Sequence, residues 1–296
     1  MIAIVANGGA GGIPFARRRK KGLVQAVEVG YEILKQGGSA LDAVEEATVV
    51  LEDTPIFNAG TGSALTIDGR IEMDASLMTS DLKCGAVAAI RDVKNPIRIA
   101  RLVMEQTDHV ILGGASAVRF ARKFGFAKFN LWTKEKRRLL KQAIKKMKQG
   151  LPNKYFPRHI QLLRIYELDT VGAVAIDKKG LIAVANSTGG ITAKLPGRIG
   201  DTPVIGAGLY ANKYGGAAAT GHGEGIIRFC MSKVCVDLMR NNQAQRAVDI
   251  ALQTSQKYKF VCGLIAIDRN GKIGIGIGPK GMSWAYIKDG KLKTFY

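Results

Sequence analysis

The sequence predicts an α+β protein in which helices cover two stacked sheets, and three observations carry that expectation. Short apolar runs alternate with helical stretches up to Lys123, the chain turns strand-rich from Thr170, and both halves hold strands with helices between them. With 296 residues, 47% of them hydrophobic, the chain can bury a sizeable core as one large domain or two small ones.

The opening run Ile2-Ala3-Ile4-Val5-Ala6 reads as a first strand. It is too short for a membrane span and lacks the basic flank of a signal peptide, so a cytoplasmic protein with no membrane partner is expected. A helix follows over Gly22 to Gln36, with Leu23, Val27, Tyr31 and Leu34 at helical spacing and Gly37-Gly38 as its stop. Ser39 can cap a second helix that turns Val44, Ala47 and Leu51 to the core.

After the glycine-rich stretch Asn58 to Gly62, residues 64–67 and 70–73 flank Asp68-Gly69, the two-residue signal of a hairpin. Gly85 to Ile90 is the next strand, and Asn95-Pro96 opens another helix, with Asn as cap and Pro at the first helical position. Lys134 to Lys148 reads as a helix with Leu139, Leu140, Ile144 and Met147 on one side and basic residues nearly everywhere else; Pro152 and Pro157 close it. From Thr170, Val171 to Ile176 and Leu181 to Ala185 surround the turn Asp177-Lys178-Lys179-Gly180, and a strand spans Val204 to Ala211. Helices over Glu224 to Arg240 and Gln243 to Lys257 precede two hairpins punctuated by Asp268-Arg269-Asn270-Gly271 and Lys288-Asp289-Gly290.

The formal charge of +20 raises the question of a nucleic-acid or anionic-membrane partner. Its distribution is uneven: Arg122 to Arg164 carries fourteen Lys or Arg against the single acid Glu135. With no aromatic platform evident beside that charge, the segment reads as a solvated, mobile linker, and a nucleic-acid contact stays open as the second reading.

Composition also narrows the chemistry. The three histidines, His109, His159 and His222, lack a Gly-x-Ser-x-Gly elbow, which argues against a Ser-His-Asp triad. Gly276-x-Gly278-x-x-Gly281 has the spacing of a dinucleotide fingerprint, but Pro279 interrupts it and a strand-like run follows where a helix is needed. Cys84, Cys230, Cys235 and Cys262 have neither metal-site nor disulfide-framework spacing and read as core thiols. Thr170, at the mouth of the apolar run 171–174, reads from pattern alone as a strand-end residue. A threonine hydroxyl needs an adjacent base to act as a nucleophile. If the peptide bond before Thr170 were broken, the new α-amine, with a pKa of about 8, would supply one.

Seven stretches give Thr170 a sharper meaning. They are Asn7-Gly8-Gly9-Ala10-Gly11-Gly12, Phe57 to Ser63, Glu72 to Ser76, Asp169 to Asp177, Asn186 to Gly190, Gly197 to Asp201, and Ala219 to Glu224. In this order they resemble the plant-type asparaginases and isoaspartyl peptidases, over almost the whole chain except the basic linker. The resemblance implies one domain, residues 1–296, with the four-layer αββα sandwich of N-terminal-nucleophile hydrolases. It further implies self-cleavage between Asp169 and Thr170 into an α chain, 1–169, with the basic linker (about 124–165) near its end, and a β chain, 170–296.

The site residues follow by the same resemblance. Thr170 is nucleophile and, through its α-amine, general base; it attacks the side-chain carbonyl of asparagine or of a β-aspartyl residue and releases aspartate. Thr188 adjusts its proton balance, Thr220 and Gly221 form the oxyanion hole, and Asn58 supports the nucleophile end. Arg198 and Asp201 read the substrate α-carboxylate and α-ammonium, with Gly221 and Gly223 beside them. The family's sodium ion would rest on main-chain carbonyls of Leu51, Glu52, Thr54, Phe57, Ala59 and Thr61, with no cofactor required, and the assembly would be a dimer of αβ heterodimers. Asn7 departs from the family, standing where a histidine often precedes the Gly-Gly pair. A threonine endopeptidase resembling taspase shares the Asp-Thr-Val-Gly-Ala-Val site, but a protease cutting inside a polypeptide has no use for Asp201. Glycosylasparaginase, a protein of secretory compartments, fits less well. An uncut precursor that binds nucleic acid through its basic segment is the rival from another class.

Overall fold

The computed structural model describes residues 1–10, 16–148, 170–278 and 281–295. Gly11, Gly12, Asp169, Pro152, Pro157, Pro279, His159 and the later part of the basic segment lie outside them. The first half of the chain runs β1 (Ala3–Ala10), α1 (Ala16–Lys35), α2 (Ala40–Asp53), β2 (Met73–Thr79), β3 (Cys84–Ile90), α3 (Pro96–Gln106), β4 (Ile111–Gly113), α4 (Gly114–Lys123) and α5 (Lys134–Lys148). The second half runs β5 (Val171–Ile176), β6 (Ile182–Thr188), β7 (Leu209–Asn212), β8 (Gly215–Gly221), α6 (Gly223–Phe229), α7 (Met231–Leu238), α8 (Ala244–Lys257), β9 (Cys262–Asp268), β10 (Ile273–Ile277), β11 (Met282–Lys288) and β12 (Lys291–Phe295).

The strands form an eight-stranded sheet, ordered β12-β11-β1-β5-β6-β2-β3-β4, and a four-stranded sheet, ordered β10-β9-β8-β7. Pairing is antiparallel except between β3 and β4. Side-chain alternation along β5 and β6 builds two cores at once. Val174, Ile176, Ile182 and Val184 join Val5, Leu209, Ile265 and Ile267 between the sheets. Ala173, Ala175, Ala183 and Ala185 point the other way, and their small side chains let α2 lie close, with Val44 and Leu51 in the same cluster. Met231, Val236, Val248 and Leu252 of α7 and α8 cover Ala217, Ala219, Leu264 and Ala266 of the smaller sheet. The result is a mixed α/β fold. Among the described residues no helix is long and apolar enough to cross a membrane.

Tertiary contacts account for the departures from the sequence reading. Helix α1 starts at Ala16, six residues before Gly22, through the basic run 17–21. Arg19 there is buried and donates Nη1 to the Gly8 carbonyl at 2.7 Å. The hairpin around Asp68-Gly69 shrinks to a single bridge, Leu65 to Ile71, with Gly69 at φ +81°, and the strand proper begins at Met73. Only Leu209–Asn212 of the run from Val204 is a strand. The helix expected from Glu224 breaks at Cys230, whose φ of +47° is left-handed, and Cys230 is exposed, unlike the core thiol expected. Helix α5 has the expected bounds but is no solvated linker: Leu140 and Ala143 are buried in the core of the larger sheet. Phe129 and Trp132 lie just before it, half-exposed, and the Arg137 guanidinium sits 4.0 Å from the Trp132 ring centroid, so aromatic rings do accompany the charge.

Ser39 caps α2 as expected, with Asp42 completing a capping box. Asn95 does not cap α3; its amide donates to Asp53 Oδ1 at 3.0 Å. Glu52 stands in, its Oε1 accepting from Ile97 N at 3.2 Å and from Ser187 Oγ at 2.6 Å, which ties α2 to β6. Full burial pushes the Glu52 carboxyl from 4.5 up to about 8. The stability this gives the fold is complete below the unfolded value and is lost as pH rises through the folded one. Glu52→Gln keeps the acceptor and never ionises. Urea unfolding is expected to show the variant more stable than the wild type above pH ~8.5 and the difference to shrink near pH ~5; equal differences at both would contradict a buried neutral carboxyl.

Candidate active site

Strand register assembles the centre. β5 and β6 pair with Val171 opposite Ser187, so Thr170, one residue earlier, stands opposite Thr188, the last residue of β6. Thr170 Oγ1 donates to Thr188 Oγ1 at 3.2 Å, and Gly190 N donates to the same Thr188 oxygen at 3.0 Å. From the other sheet, Thr220 near the end of β8 accepts from Thr170 N at 3.3 Å and from Ala10 N at 3.1 Å. All three threonines are buried. Gly221 follows at φ +137°, and a Cβ there would lie 2.3 Å from the Val261 carbonyl. Glycine is therefore required on both backbone and steric grounds.

Thr170, Thr188, Arg198, Asp201 and Gly221 line one narrow cleft. Arg198 and Asp201 do not pair with each other as an isolated surface pair would. Arg198 Nε and Nη2 donate to Glu224 Oε1 at 3.1 and 3.0 Å, and Glu224 Oε2 lies 3.4 Å from His222 Nε2. Asp201 is 3% exposed, its Oδ2 has no hydrogen-bond partner among the described residues, and burial pushes its carboxyl up to about 7. Gly223 separates the two, since a Cβ there would come within 2.9 Å of both Arg198 Nη2 and Asp201 Oδ1. The cleft thus holds a hydroxyl beside hydroxyl and amide donors, together with a guanidinium and a carboxyl whose Oδ2 is unmatched among the described residues. Asn58 makes no hydrogen bond to Thr170 among the described residues: it accepts at Oδ1 from Ala64 N (2.7 Å) and donates Nδ2 to the Gly190 carbonyl, bracing the loop after Thr188. Asn7 is buried and uses Oδ1 to accept from Gly9 N at 2.9 Å.

The loop 51–61 offers neutral, hard oxygen donors, the set a sodium ion takes. Its carbonyls lie close to neighbouring glycines: a Cβ on Gly60 would lie 2.5 Å from Glu52 O, and one on Gly62 1.9 Å from Phe57 O. The chemistry of these oxygens fits such an ion, while three of the six, those of Leu51, Thr54 and Ala59, also accept backbone bonds from Thr54, Phe57 and Gly62.

Sequence reasoning quoted Glu224 without a role, and it missed Lys194. The Lys194 ammonium is buried, donates to the Glu72 carbonyl at 2.8 Å and is drawn below the usual lysine range by burial. Glu72 in turn accepts from Gly197 N (2.7 Å) and pairs with Arg91, so it anchors the loop that carries Arg198. No local pattern marks Lys194, which reads as one more surface lysine.

The whole chain, residues 1–296, matches the family described as Asparaginase, and it belongs to that family. It is similar to the plant-type L-asparaginase of Pyrococcus horikoshii, 48% identical over 300 residues that cover 98% of this chain and 97% of the relative. The plant-type L-asparaginase of Thermococcus kodakarensis is 45% identical over 300 residues, with the same coverage. The isoaspartyl peptidase/L-asparaginase of Homo sapiens is 41% identical over 301 residues, covering 98% of this chain and 94% of that one.

Proposed function

We propose that the chain is a self-activating amidohydrolase that releases aspartate from L-asparagine and from β-aspartyl dipeptides. The observation that carries this reading is Thr170, placed at a strand mouth with its hydroxyl against Thr188 and its nitrogen against Thr220, in the cleft that Arg198 and Asp201 line. Cleavage of the bond before Thr170 gives a chain of residues 1–169 and one of 170–296, and turns a peptide nitrogen into an amine within reach of its own hydroxyl. That amine takes the hydroxyl proton as the oxygen attacks the substrate's side-chain carbonyl. Thr220 and the Gly221 N–H hold the oxyanion, and collapse expels ammonia, or the amine of the following residue, with the proton returned by the α-amine. Water then hydrolyses the acyl-enzyme ester and aspartate leaves. Arg198 binds the substrate α-carboxylate, exchanging Glu224 for it, while Asp201 binds the α-ammonium.

The four-layer αββα sandwich of N-terminal-nucleophile hydrolases is the architecture we assign, supported by the apolar cores on both faces of each sheet. The loop 51–61 holds a structural sodium ion, and two such cleaved units form a dimer. Free thiols at all four cysteines support a cytoplasmic setting. The taspase-like reading is disfavoured by the buried Asp201 carboxyl, whose Oδ2, unmatched among the described residues, suits a free amine.

The test is to incubate the purified chain, follow it by denaturing gel and intact mass, and assay aspartate. Two fragments of about 18 and 14 kDa are expected, the smaller beginning at Thr170, with aspartate released from asparagine and β-aspartyl dipeptides. A chain that stays whole and inactive after prolonged warming would overturn the proposal.

A further inference from the structure

A groove of about 630 Å³ opens between the turn at Arg70 and the segment leading into α5, and it shares no lining residue with the Thr170 cleft. It brings together Arg70, Arg91 and Lys128 with the rings of Phe129 and Trp132. The wall is fixed by hydrogen bonds from main-chain amides: Phe129 N donates to the Asp92 carbonyl at 3.1 Å, and Trp132 N donates to Asn130 Oδ1 at 3.1 Å. Arg122 Nη2 bonds the same Asp92 carbonyl at 2.8 Å. Arg137 lies over the Trp132 ring and adds a further cation at the rim.

Neutralisation inside the groove is incomplete. Arg91 pairs with buried Glu72, and Arg70 meets Asp68 at 3.2 Å on the surface, where such a pair is weak and exchangeable. Lys128 has no ion pair among the described residues. The Asp92 carboxylate also lines the groove, leaving three cations against one acid on its walls. The groove lies near the start of the described stretch 122–148, where eleven Lys or Arg stand against the single acid Glu135, so the local field favours anions.

Rings and cations select ligands differently. A bare phosphate or carboxylate has no use for Phe129 and Trp132, and an apolar ligand has none for Arg70 and Lys128. A planar base joined to a phosphate uses both, stacking on the rings while the phosphate meets the cations. The volume falls within the range of small-molecule sites. We propose that this groove binds a nucleotide, its base against Trp132 and Phe129 and its phosphate at Arg70 and Lys128. The same chemistry is offered by a free nucleotide and by a residue of single-stranded nucleic acid. The site does not depend on the hydrolase reading.

Fluorescence anisotropy on the full chain, with fluorescein-labelled AMP and a labelled single-stranded thymidine oligomer as probes, tests this at low salt. Saturable binding is expected, weakened about tenfold or more by Trp132→Leu. The double variant Arg70→Ala/Lys128→Ala should weaken it comparably and flatten the salt dependence. Aspartate release and the unfolding midpoint should stay at wild-type values in the double variant, which touches no core residue and so keeps the test valid should Trp132→Leu fold poorly. An oligomer that binds more tightly than AMP identifies a strand as ligand, and the reverse order identifies a free nucleotide. The proposal fails if neither probe saturates, if the double variant binds both probes like the wild type, or if inorganic phosphate competes as well as unlabelled AMP.

Discussion

Thr170→Ala is expected to remain one chain and to lose aspartate release by about a millionfold, the scale seen when the nucleophile of a coupled catalytic unit is removed. The loss is chemical, because little structure depends on this hydroxyl. Its described hydrogen bond is the 3.2 Å contact to Thr188 Oγ1, and Thr188 keeps the one from Gly190 N. A neutral hydrogen bond of this kind contributes about 1 kcal/mol, so the variant should unfold within a few degrees of the wild type. Thr170→Ser retains the hydroxyl and should retain measurable cleavage. Intact mass, a coupled aspartate assay and a thermal scan on all three proteins decide the matter; an alanine variant that is cut and active would remove Thr170 from the mechanism.

Asp201→Asn is expected to lower kcat/KM for asparagine by about a hundredfold or more, since removing one partner of a buried charge pair costs about 2–5 kcal/mol. The carboxyl is buried, its Oδ2 is unmatched among the described residues, and burial lifts it to about 7. A substrate ammonium supplies the missing partner. Only the ionised carboxylate can hold that cation, so wild-type kcat/KM should rise with pH through about 7 and fall on acidification. The asparagine variant should lose this limb and keep a rise near pH ~8 from the Thr170 amine. On substrates without a free α-amine the two proteins should behave alike. Identical pH profiles for both proteins on asparagine would exclude Asp201 from substrate binding.

Much of this centre was legible because local and non-local signals agree. The runs 171–176 and 181–185 and the turn ending at Gly180 already describe a hairpin with Thr170 at its mouth, while Thr188, three residues past the second run, was paired with Thr170 only through family resemblance. The oxyanion-hole role of Thr220 and Gly221 was legible only through family resemblance, since the strand that delivers them belongs to the other sheet. What stayed hidden was decided by distant partners. Glu224 takes up Arg198, Lys194 is drawn inside by Glu72, and Leu140 with Ala143 turns a basic helix into part of the core. The hairpin at Asp68-Gly69 failed for the opposite reason: a good turn signal was present, but Ile67 N bonds the Lys194 carbonyl in place of a facing strand.

The order of the larger sheet alternates between the two halves of the chain. β12 and β11 come from the second half, β1 from the first, β5 and β6 from the second, and β2, β3 and β4 from the first. Each half taken alone is a sheet with missing slats: β1 has both its neighbours, β11 and β5, in the other half. A cut before Thr170 therefore divides the polypeptide without dividing the fold, as every change of half along the sheet is laced by a backbone ladder. The peptide bond before Thr170 matters earlier, when it makes the meeting of the two halves intramolecular at high effective concentration. Once the strands have interleaved, that tether has finished its task, and the same bond is free to be given up for chemistry.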